Sequence, residues 1–179
     1  MQFLLRLSRG IDALNQRVGY LCDYLILIVC FISAGNALMR YIFSYSSNGF
    51  LEIQWYLFGA VVLLGASYTL KRNEHVRVDV LYANLSERGR MMIDAVGLLC
   101  FMLPVMIFLI YLSLPVFLQS YASGERSANT GGLVLWPAKL LLPLGFFLLS
   151  LQGFSEFIKR CAALMGLIEL ETKYEKPLQ

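Results

Sequence analysis

Few side chains in this sequence could do covalent, redox or metal chemistry. The four cysteines, Cys22, Cys30, Cys100 and Cys161, show no CxxC spacing. Three sit in or beside apolar runs, where buried thiols are inert. A bis-histidine haem needs two imidazoles, and His75 is the single histidine. Structural zinc needs clustered Cys and His, and no cluster exists. There is no GxSxG, no HExxH and no glycine-rich phosphate loop. Isolated residues such as Ser67 and Asp94 fit packing better than catalysis. No enzymatic activity and no cofactor are therefore expected.

Other polar residues have spacings suited to contact between helices. Glu52, Gly59 and Ala66 are seven apart and share one helical face. Gly145 and Gln152 are also seven apart, and Glu156 follows one turn later. Small residues let helices approach closely, and a glutamine can hydrogen-bond across a membrane interface. The same stripes would serve packing within the chain or docking of a second membrane protein. Glu156 and Arg160 have the i,i+4 spacing of an ion pair, worth ~0.3–0.5 kcal/mol if exposed.

The elements that would carry these residues follow from composition. Of 179 residues, 58% are hydrophobic and 15% charged, with a mean hydropathy of +0.64. That excludes a disordered or fibrous chain and almost any soluble domain. Four apolar stretches approach the ~20 residues a bilayer-crossing helix needs. They are expected at about 18–43, 50–70, 91–118 and 135–157, in a single all-α membrane domain over 1–179. Pro104 and Pro115 should bend the third span and Pro143 the fourth. Trp136 and Pro137 suit the opening turn of the fourth.

Residues 1–17 read differently. Phe3, Leu4, Leu7, Ile11 and Leu14 recur at helical steps among Arg6, Arg9, Asp12, Asn15, Gln16 and Arg17. This pattern predicts a basic amphipathic arm lying in the membrane interface. With the N-terminus inside, the inner segments hold Arg6, Arg9, Arg17, Lys71, Arg72, Arg77, Arg88, Arg90, Lys159, Arg160, Lys173 and Lys176. The outer segments hold only Arg40, Arg126 and Lys139. The positive-inside rule then puts both termini in the cytoplasm. The basic residues flank apolar runs and form no separate basic module, so nucleic-acid binding is not expected. In the inner loop, Asp79 could cap a short helix and Ser86 the next span, with Glu87 in its first turn. Residues 120–132 form a polar, glycine-rich outer loop.

Residues 52–79 read EIQWYLFGAVVLLGASYTLKRNEHVRVD, and 127–156 read SANTGGLVLWPAKLLLPLGFFLLSLQGFSE. An acid opening the second span, glycine and small residues along it, and the element His75-Val76-Arg77-Val78-Asp79 resemble the DctQ-type small membrane subunit of tripartite ATP-independent periplasmic (TRAP) transporters. Trp136-Pro137 and Gly145 are similar to that family's fourth-helix region. The resemblance covers most of residues 18–160.

It implies a small scaffold subunit in a bacterial inner membrane. The large multi-span subunit would carry an organic anion with sodium, and a periplasmic substrate-binding protein would deliver it. Candidate subunit-contact residues are Glu52, Trp55, Gly59, Ala66, His75, Arg77, Asp79 and Gln152. Membrane lipid is the remaining expected partner. An independent four-helix channel or exporter is the alternative. Such a protein would be expected to place ionisable groups along its path. Here the span cores are nearly charge-free, with Asp23, Glu52, Asp94 and Glu156 near span ends.

Overall fold

The computed structural model describes residues 1–45, 47–75 and 85–169. It contains four long helices: α1 (Gln2–Phe43), α2 (Asn48–Arg72), α3 (Glu87–Ser123) and α4 (Trp136–Leu164). Each is long and apolar enough to cross a ~30 Å hydrocarbon core. The fold is all-α, and among the described residues one isolated bridge pairs Arg126 with Val134 in the loop between α3 and α4.

The helix ends follow local chemistry. Ser86 caps α3, its hydroxyl accepting the Gly89 N–H at 3.3 Å, with Glu87 in the first turn. Asn73 closes α2 in the left-handed region (φ 60°), and Gly124 closes α3 at φ 61°. Asparagine and glycine adopt that conformation at low steric cost. α4 opens on Trp136 with Pro137 in its first turn, where a missing N–H leaves no carbonyl unpaired.

The prolines leave each span continuous. A π-helical turn, Leu98–Met102, comes just before Pro104. This wider turn accommodates the ring and its missing donor. Ser113, two residues before Pro115, donates its Oγ hydrogen to the Leu109 carbonyl at 2.7 Å. α4 runs unbroken through the buried Pro143.

α1 runs without a break past residue 17, so arm and first span are one helix of 42 residues. No proline precedes Pro104, and no stop signal lies between Gln16 and Gly19. At 1.5 Å per residue this helix is ~63 Å long, about twice the hydrocarbon thickness.

α4 is the central element. It packs against α1, α2 and α3, and α1 also packs along α2. α3 rests on α4, with at most marginal contact to the other two helices. The arrangement is therefore open and not a ring around a shared axis. A small apolar core joins Cys22, Ala60, Leu64 and Leu148. Glycine makes the α2–α4 contact possible: a Cβ on Gly145 would lie 2.8 Å from both Leu63 Cβ and Leu63 O. Large apolar side chains such as Phe31, Phe101 and Tyr111 point outward, as they do where lipid replaces water.

Candidate functional site

Two polar constellations hold this fold, one at each end of the helices. At the end carrying the N-terminus, Ser8, Asp12, Asn15, Gly19 and Cys22 recur along α1 at steps of four and three. Leu148, Gln152, Ser155, Lys159 and Ala162 do the same along α4. Such spacing keeps each set on one face, and the two faces meet.

The contacts form one connected network. Ser8 Oγ lies 2.7 Å from Ser155 Oγ, which donates to Asp12 Oδ1 at 2.9 Å. Asn15 Nδ2 donates to Gln152 Oε1 at 2.7 Å. Gln152 Nε2 donates to Asp12 Oδ1 at 2.9 Å and to Glu156 Oε1 at 3.0 Å. Lys159 Nζ donates to Asp12 Oδ2 at 3.1 Å and to Glu156. Arg160 Nη1 reaches Glu156 Oε2 at 2.6 Å, and its Nε reaches Asp94 Oδ2 on α3 at 3.0 Å. Three acids and two bases thus tie α1, α3 and α4 together. Each carboxylate contacts Lys159 or Arg160, so none of the three lacks a cationic partner. Burying such charges is tolerable only under that condition. A second link joins α1 to α2, where Lys71 Nζ donates to Gln16 Oε1 at 2.6 Å.

At the opposite end, Glu52 organises the loop between α3 and α4. The Ser127 hydroxyl and the Asn129 amide (2.8 Å) donate to its Oε1, and the Leu133 N–H (2.7 Å) donates to its Oε2. Tyr56 Oη donates to the Val134 carbonyl at 3.2 Å, and Asn48 Nδ2 to that of Thr130 at 3.2 Å. Lys139 pairs with Glu125 across the base of the loop. That ammonium holds the Glu125 carboxyl below the usual range.

The eight expected contact residues fall into three groups. Glu52 (3% exposed) and Gln152 (0% exposed) are engaged inside the chain. Trp55 is 66% exposed, and the Cβ position of Gly59 has nothing within 4 Å. Ala66 is half-buried on the same side, and His75 is exposed just past the C-terminal end of α2. Arg77 and Asp79, with the expected Asp79-capped helix, lie outside the described residues.

Ser8, Asp12, Asn15, Ser155 and Lys159 were not among the expected site residues. The readable signal was the matched spacing of small and polar residues on α1 and α4. On the arm, the apolar stripe draws attention away from it. Among the described residues no group of His, Cys, Asp and Glu is placed to hold a metal ion.

Comparison with known proteins decides the family. The family model described as "Tripartite ATP-independent periplasmic transporters, DctQ component" matches residues 25–163, most of the chain. The chain belongs to the DctQ family. It is 34% identical over 93 residues to the C4-dicarboxylate TRAP transporter small permease protein DctQ of Vibrio cholerae serotype O1. That match covers 48% of this chain and 40% of the relative's length. No solved structure matches. As a DctQ-family protein with four helices long and apolar enough to cross a membrane, the chain is a multi-pass protein of the bacterial inner membrane.

Proposed function

We propose that this chain is a non-translocating scaffold, with both termini cytoplasmic, that supports sodium-coupled uptake of an organic anion by a larger membrane subunit. The observation that carries this reading is the open helix arrangement. α3 rests on α4 alone, so the four helices enclose no shared path among the described residues. An independent carrier needs a polar route across the membrane. The buried charges lie instead at the end of the helices that carries the N-terminus, paired with one another.

The exposed side of α2 is the proposed seat for the large subunit. Trp55 and Val62 stand out beside Gly59, whose missing side chain leaves an open recess. A membrane helix could approach closely there. A carboxylate cargo, sodium coupling and delivery by a periplasmic binding protein are taken from the family. The name of the Vibrio relative favours a C4-dicarboxylate within that class.

The test is reconstitution into liposomes with an inward sodium gradient and a matched binding protein. Uptake should require both membrane subunits. Uptake by this chain alone would establish an independent carrier. Full uptake by the large subunit alone would refute the supporting role.

A further inference from the structure

Residues 2–17 of α1 present three distinct faces. One, carrying Ser8, Asp12 and Asn15, is fixed to α4 by the polar network. A second is apolar and exposed, with Phe3 76%, Leu7 42% and Leu14 43% accessible. This stripe continues at seven-residue steps through Leu21 and Ile28, both exposed, into the apolar wall of the span. The third carries Arg6, Arg9 and Arg17. At 100° per residue these three fall within a sector of about 80°, opposite the buried face.

Among the described residues the basic face meets no carboxylate. Among the described residues Arg6 and Arg17 have no carboxylate partner, and Arg9 Nε donates only to the Leu5 carbonyl at 3.4 Å. The arm's one acid, Asp12, is turned away and paired with Lys159. A helix that carries the apolar stripe of the span on toward the N-terminus, beside three guanidinium groups with no carboxylate partner among the described residues, matches one surface chemically. We propose that the arm binds the anionic phospholipids of the inner leaflet. The Phe3–Leu7–Leu14 stripe enters the acyl boundary, and the three arginines take headgroup phosphates. The continuity of the stripe with the span favours lipid over an acidic protein segment. The polar network then has a second role, setting which side of the arm faces the leaflet.

The experiment measures lipid retention by the purified full chain using native mass spectrometry. Phosphatidylglycerol and phosphatidylcholine are offered in equal amounts. The wild type should prefer phosphatidylglycerol, and salt should weaken that preference. Replacing all three residues (Arg6→Gln, Arg9→Gln, Arg17→Gln) should lower it on the order of 100-fold, from the attraction expected per basic residue near an anionic surface. Lysine at the same three positions should restore most of it, and Arg126→Gln at the other end should leave it intact. An unchanged preference in the glutamine variant would overturn the proposal, as would failure of lysine to restore it. Loss of large-subunit binding with lipid preference intact would assign the face to a protein instead. Because lipid retention is measured without the large subunit, the outcome is independent of the scaffold reading.

Discussion

Replacing Arg160 by alanine tests whether the inner network holds the helices together. Arg160 links α4 to α3, joining Asp94 at 3.0 Å and Glu156 at 2.6 Å. The three side chains are 11%, 17% and 8% exposed. Removing the guanidinium leaves Glu156 with Lys159 and Gln152, but takes from Asp94 its bond across to α4. Breaking a buried pair by deleting one partner costs ~3–5 kcal/mol, because the remaining charge is poorly solvated. The partial exposure of Asp94 places the expectation at the lower end, about 3 kcal/mol. Arg72 provides the control. It pairs with Glu74 at 3.2 Å, with both side chains more than half exposed. Exposed pairs contribute ~0–1 kcal/mol. At ~2–4 °C per kcal/mol for a chain of this size, Arg160→Ala should lower the Tm in detergent by about 6–12 °C. Arg72→Ala should lower it by no more than a few degrees. A double-mutant cycle with Asp94→Ala should show coupling above ~1 kcal/mol. Equal, small shifts for both arginine variants would refute the idea that burial makes this network structural.

Four further outcomes follow from the geometry. Glu52→Gln should destabilise the outer loop by about 1–3 kcal/mol, because an amide nitrogen replaces an acceptor facing Leu133 N–H or Ser127; faster proteolysis within residues 124–135 would register it. Gly145→Ala should cost about 1–3 kcal/mol, since its Cβ would meet Leu63 backbone at 2.8 Å. Gly59→Ala should leave the isolated chain's Tm unchanged and weaken co-purification of the large subunit. Glu125, whose carboxyl is held low by Lys139, contributes stability above its unfolded pKa. That contribution is lost as pH falls through the folded value, so loop proteolysis should rise on acidification and Glu125→Gln should reduce the dependence, leaving the part carried by Glu52.

Much of this protein was written in local sequence. Four apolar runs of sufficient length dictate four membrane helices, because an unpaired backbone is untenable in lipid. The Ser86 cap, the Trp136-Pro137 opening and the π turn before Pro104 each follow from one or two residues. The family was legible in the acid-opened second span and the HVRVD element. The amphipathic pattern of residues 1–17 gave a helix, but not its continuity with the span. Only the tertiary structure decided which face of that helix is buried. Hydrophobicity points to the Phe3–Leu7–Leu14 stripe, yet Ser8, Ile11 and Asn15 are the buried residues. In a membrane protein lipid solvates apolar side chains as well as a core does. What helix association selects is therefore close approach and polar pairing. For the same reason Glu52 and Gln152 could be recognised as contact residues but not assigned a partner. A helical periodicity names the side chains on a face; only the fold shows that residues 127–133 meet the first and that Asp12 and Asn15 meet the second.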